Sequence, residues 1–160
     1  MRPAFPMAQA GRPIMNNGEL RPPPYVPPGG PPRHGPSRDV YAAMGSENIH
    51  RMLEDLYVEL ERSDLRPMFP EDMKAASRKS AAFFIGLLGG PPLYQQLYGE
   101  PMMRRRHLHL RIDEAARQGW LTCFEKVLEH APERYAFPEE HLPGFRAFLD
   151  EFSAWMVNTK

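Results

Sequence analysis

Gly89-Gly-Pro-Pro-Leu-Tyr94-Gln-Gln-Leu-Tyr98-Gly99-Glu-Pro101-Met-Met-Arg104-Arg-Arg106-His107 lies between two strongly apolar stretches. Paired glycines followed by paired prolines stop a helix firmly, because proline cannot continue it and glycine accepts the backbone turn. Pro101 keeps the rest of the stretch short and irregular. It ends with three consecutive cations and a histidine, before Leu108, His109 and Leu110. An irregular segment with a histidine among arginines is a place for chemistry, and its neighbours decide which kind.

Upstream, Ala81, Ala82, Phe83, Phe84, Ile85, Leu87 and Leu88 make a helix that is apolar nearly all round, which predicts deep burial. Its first turn is expected at Pro70-Glu71-Asp72, with proline early and acids at the positive end. Further upstream, Ile49, Met52, Leu53, Leu56, Tyr57 and Leu60 recur at helical spacing. Ser46 is the expected N-cap after Gly45, and Pro67 bounds the far end. Downstream, Ile112, Ala115, Ala116, Gly119, Trp120, Cys123, Phe124, Val127 and Leu128 form one apolar stripe. Phe145, Phe148, Leu149, Phe152, Trp155 and Met156 form another, with Pro143 near its start. No alternating run is long enough to announce a strand. The expected class is all-α, with about four main helices and one short one.

Before residue 39 the composition changes. Residues 1–38 hold 11 of the 19 prolines and 5 of the 12 glycines. Such a segment has too little apolar side chain to offset its ordering entropy, so disorder is expected over 1–38 and one domain over 39–160. Arg21-Pro-Pro-Pro-Tyr25-Val-Pro27 fits both PPxY and RxxPxxP patterns, which proline-rich tails also produce by chance. The tail carries five arginines against Glu19, leaving 15 basic and 19 acidic side chains for the rest. A mildly acidic domain argues against nucleic acid as a partner. The longest apolar run, Ala81–Leu88, is too short for a membrane span. A lone cysteine, Cys123, and no signal-peptide pattern point to a cytoplasmic protein.

Among six histidines, His34 falls in the tail, and His50, His130 and His141 sit at polar positions. His107 and His109 remain. Zinc would need three or four ligands at set spacing, which His-x-His and one distant cysteine do not supply. A Cys123–His nucleophilic pair is open, although cysteine on an apolar helix face usually acts as a small hydrophobe. Haem would need one neutral imidazole, an apolar slot and cations for its propionates, and the segment offers each. A plain helical bundle is the bland alternative from the residues alone.

The order of motifs adds to this. Gly89-Gly-Pro-Pro-Leu-Tyr94, Gly99-Glu-Pro-Met-Met-Arg-Arg-Arg-His107 and Ala116-Arg-Gln-Gly-Trp120-Leu-Thr-Cys123 resemble a group II truncated haemoglobin of the bacterial-like globin family. Val40-Tyr-Ala-Ala-Met-Gly45 and Met68-Phe-Pro-Glu-Asp72 also fit. The resemblance covers about residues 39–157. It implies a truncated globin fold, a two-over-two helical sandwich around haem. By the same resemblance His107 matches the proximal iron ligand. Tyr57 and Trp120 match distal hydrogen-bond donors, and Ala76 and Ser80 fall on the ligand-facing side of the distal helix. Phe69, Phe83 and Phe84 match apolar haem contacts. Tyr94, Arg104 and Arg106 match haem-edge and propionate contacts. Leu108, His109 and Leu110 depart from the proline and phenylalanine common in the family.

The implied function is binding of dioxygen, CO or NO, for carriage, scavenging or sensing. A second reading is nitric oxide dioxygenase or peroxidase chemistry on the same haem, with a separate reductase because no flavin or nicotinamide motif occurs. A third is a haem-free helical interaction module. The resemblance also implies a possible homo-oligomer.

Overall fold

The computed structural model describes residues 14–16 and 19–160. The disorder expected for 1–13 and 17–18 lies outside the described residues. Two three-residue strands, β1 (Ile14–Asn16) and β2 (Glu19–Arg21), pair antiparallel with Met15 opposite Leu20. Each is too short for alternation to be seen in the sequence. Residues 22–38 contain no helix or strand, as their proline content dictates, yet they lie on the helical unit. Tyr25 donates its amide to the Asn158 carbonyl at 2.8 Å, and Pro36 is buried.

Helix α1 spans Val40–Glu61 and is broken at Gly45, whose φ of 77° and ψ of 165° leave the helical region. The predicted start at Gly45-Ser46 therefore marks a kink, with one further helical turn before it. Helix α1 buries Ile49, Met52, Leu53, Leu56 and Leu60, the predicted stripe. A 3-10 turn, Arg66–Met68, leads to Phe69. Helix α2 spans Met73–Leu87, with the Asp72 carboxylate accepting from the Ala75 amide at 3.0 Å. The expected first turn at Pro70–Asp72 is corrected: Asp72 is the N-cap, and Pro70 lies before it.

Two short helices follow, α3 (Leu93–Tyr98) and α4 (Met103–Arg106). Helix α5 (Glu114–Leu128) is capped by Asp113, which accepts from the Ala116 amide at 2.8 Å. Helix α6 (Ala131–Tyr135) is a short turn, and α7 (Leu142–Met156) carries the last aromatic stripe. Helix α1 packs on α2, α5 packs on α7, and α1 also touches α5 and α6. This is the expected two-over-two arrangement. Phe84, Phe124, Phe137 and Phe145 meet edge-on or tilted at the centre, with centroids 5.2–5.9 Å apart. Each buried ring is worth about 2–3 kcal/mol of apolar transfer.

Among the described residues no helix is long and apolar enough to cross a membrane.

Candidate functional site

Helix α2 carries two stripes. Met73, Ser77, Ala81, Phe84, Ile85 and Leu88 are buried in the core. Ala76, Ser80, Phe83 and Leu87, at i, i+4, i+7 and i+11, are half-buried along a second line. This phase separates two neighbouring phenylalanines. Phe84 packs on Phe124 and Phe145 in the core. Phe83 turns to Tyr94, 6.0 Å between centroids, and to Phe152 at 5.8 Å. Phe152 continues to Trp120 of α5 at 6.3 Å. At the other end of the line, Ser80 acts on the Tyr57 hydroxyl of α1 and opposes the effect of its burial. Tyr57 in turn packs edge-on against Phe69 at 5.6 Å. Burial raises the Tyr57 pKa, so its hydroxyl keeps its proton and remains a donor.

His107 closes the single turn of α4. Its Nδ1 lies 2.6 Å from the Met103 carbonyl oxygen. A carbonyl can only accept, so Nδ1 carries the hydrogen and the lone pair of the neutral ring is on Nε2. Burial lowers the His107 pKa, the Met103 bond opposes this, and His109, Lys79 and Arg106 lower it further. The ring is thus held neutral, the form that binds a metal. His109 is exposed, whereas His107 is half-buried. A second ring nitrogen tied to a backbone carbonyl is the usual support of a metal-bound imidazole. Among the described residues no group of three His, Cys, Asp or Glu side chains comes together. One supported neutral imidazole would fit a haem iron, and does not fit a zinc centre.

The arginines are arranged more restrictively than their charge suggests. Arg104 donates to the carbonyls of Trp155, Val157 and Tyr25 at 2.6, 2.7 and 2.6 Å, and lies over the Trp155 ring. Arg106 donates to the Tyr98 and Glu100 carbonyls, each at 2.8 Å, and lies 5.3 Å from the Tyr94 ring centroid. The Tyr94 ring is buried, and desolvation raises its pKa against the pull of Arg106. Sequence reasoning missed Lys79, which acts electrostatically on His107 and sits 5.0 Å from the Tyr98 ring centroid. Its place one residue before Ser80 was the available signal. Phe152 was read only as core, yet it joins Phe83 to Trp120.

A two-over-two helical bundle presenting one supported imidazole beside an aromatic line is the architecture of a small globin. A family model described as bacterial-like globin matches residues 39–156. The group 2 truncated hemoglobin YjbI of Bacillus subtilis (strain 168) is 35% identical over 91 residues, 56% of this chain and 69% of that protein. The crystal structure of phosphate-bound Hell's gate globin IV is 36% identical with a TM-score of 0.71, over 80% of this chain and 79% of that one. The truncated oxygen-avid haemoglobin of Bacillus subtilis is 31% identical with a TM-score of 0.67, over 74% of this chain and 98% of that one. The chain belongs to the bacterial-like globin family and, within it, to the group II truncated haemoglobins.

Proposed function

We propose that the chain carries haem on His107 and reversibly binds a diatomic gas, with dioxygen as the first ligand to test. The observation that carries this reading is the Nδ1 bond from His107 to the Met103 carbonyl, which presents Nε2 as the free ligating nitrogen. Haem would supply the iron that binds the gas. Phe83, Phe69 and Ala76 would give the macrocycle apolar contact. Arg106 and Lys79 act electrostatically on His107 and would face the propionates. Arg104 is committed to three carbonyls, so its proposed role is to hold α4 in place.

The Tyr57–Ser80 hydroxyl pair and the Trp120 indole would donate to a ligand that carries partial negative charge. Such a pocket holds its ligand tightly and suits scavenging or sensing better than fast delivery. The relative from Bacillus subtilis is described as oxygen-avid, which supports the same direction. Cys123 is buried and free, which suits work in the reducing cytoplasm. The test is the visible absorption of the purified protein in ferric, dithionite-reduced and CO-bound forms. One haem per chain, with bands that shift on reduction and again with CO, is the expected result. No stoichiometric haem would overturn the proposal.

A further inference from the structure

Between His107 and helix α5 the chain runs without regular structure, so its backbone polar groups need partners from elsewhere. Asn158 supplies them. Its buried amide side chain accepts from the Ile112 amide at 2.9 Å and donates to the Leu110 carbonyl at 3.1 Å and the His107 carbonyl at 3.4 Å. Its own amide donates to the Ile112 carbonyl at 2.9 Å. A planar carboxamide holds its donor and its acceptor on two separate atoms of one rigid group, so it can serve an amide and two carbonyls at once. Aspartate would keep the acceptor and turn a charge on two carbonyls, and leucine would fill the space with no bond.

Arg104 ties the other side of the same turn. It precedes His107 by three residues, and its guanidinium reaches the Trp155, Val157 and Tyr25 carbonyls. A planar fork spreads its donors over three separated carbonyls, whereas a lysine would have to gather all three around one nitrogen. Tyr25 is joined from both directions, since its amide donates to the Asn158 carbonyl while its carbonyl accepts from Arg104. Lys160 sits 5.2 Å from the Tyr25 ring centroid. Tyr25 and Asn158 both lie outside residues 39–156, the part that matches the family.

We infer that Asn158 and Arg104 are positioning residues for His107, and that the Tyr25 backbone completes their clamp. The proline-rich segment nearest the helices then acts as a strut on the imidazole's side of the molecule. Tyr25, the tyrosine of the PPxY pattern, is engaged within the chain. The inference rests on haem being carried by His107.

The full chain is tested as purified, with Asn158→Asp, Asn158→Leu and Arg104→Lys variants. Arg117→Ala serves as a control that loosens α5 from α7 by removing its bonds to Ser153 and Asp150. The readouts are the iron–histidine stretching band of the ferrous protein, the rate of haem loss, and hydrogen exchange at the Leu110 amide, which donates to the His107 carbonyl. The clamp variants are expected to shift and broaden the band and to speed haem loss on the order of tenfold, as loss of an outer-shell support does. They are also expected to speed exchange at Leu110, while Arg117→Ala keeps the wild-type band. An unchanged band and haem-loss rate in the clamp variants, or an equal change in Arg117→Ala, overturns the inference. An iron–histidine band that survives His107→Ala, or is absent from wild type, strikes the haem assignment instead. Exchange at Leu110 then still decides the clamp: faster in Asn158→Asp upholds it, and unchanged overturns it.

Discussion

Gly89 and Arg38 approach so closely that a Cβ on Gly89 would lie 1.8 Å from the Arg38 carbonyl oxygen. The end of α2 and the entry to α1 are thereby sewn together. The Tyr41 amide donates to the Leu88 carbonyl at 2.9 Å, and Arg38 donates to the Gly86 carbonyl at 3.1 Å. Gly89 also has a φ of 103°, which side-chain-bearing residues rarely adopt. Gly89→Ala is expected to cost about 3 kcal/mol, through strain and displacement of the Arg38 backbone. The check is thermal unfolding, with a fall in Tm of roughly 10 °C. Gly45 has a φ of 77° and a ψ of 165° but nothing within 4 Å of its would-be Cβ, so Gly45→Ala should cost less, about 1–2 kcal/mol from backbone strain alone. Equal losses in the two variants would show that the close approach carries no weight.

The Tyr135 hydroxyl donates to the Asp55 carboxylate in a short hydrogen bond that ties α6 to α1. Burial, then the bond and charge of Asp55, push the Tyr135 pKa up from 10.0 to about 12. A folded-state pKa above the unfolded value gives stability that is full below the unfolded pKa and is lost as pH rises through the folded one. The loss therefore falls between about pH 10 and pH 12. Denaturant unfolding across that window should show a decline of wild type that exceeds that of Tyr135→Phe by roughly 2 kcal/mol at most. Parallel declines would mean that the phenol is not shifted.

Tyr57 and Ser80 define the expected donor pair at the gas site. Tyr57→Phe removes the hydroxyl and keeps the ring that packs on Phe69. Dioxygen release, followed by stopped flow, is expected to accelerate about tenfold or more, the value of one hydrogen bond to a partly charged acceptor. Ser80→Ala should give a smaller acceleration, because it removes a neighbouring hydroxyl and keeps the phenol. A Tyr57→Phe rate equal to wild type would assign the holding to Trp120.

Much of this architecture was legible from residue periodicity. The stripes of α1, α5 and α7 appear in the sequence much as they do in the fold, although Ala115 is exposed and Trp120 and Phe152 are half-buried. Helix α2 was legible as a helix but not in its phase, since apolar residues surround its second half. Only packing on Phe124 and Phe145 sends Phe84 to the core and leaves Phe83 to face Tyr94. Helix α6 escaped notice because Ala131–Tyr135 is too short, and carries Pro132, for any period to show. The Gly89-Gly90 pair was read as a helix stop, and its tighter reason, the passage of Arg38, is a tertiary contact. The tail's composition predicts disorder through residue 38, for lack of apolar side chains. Its attachment at Tyr25 uses backbone groups, which composition does not reveal. Asn158 carried no signal at all, because its partners are a loop 46 to 51 residues away.

Whether His107 carries haem is decided by the haem content of His107→Ala beside His109→Ala, each expressed with ample haem. His107 has its Nδ1 engaged by the Met103 carbonyl, and His109 is an exposed neighbour two residues on. His107→Ala is expected to lose stable haem, while His109→Ala retains one haem per chain with an unchanged ferrous spectrum. Full haem in His107→Ala, and its loss in His109→Ala, would contradict the assignment of haem to His107.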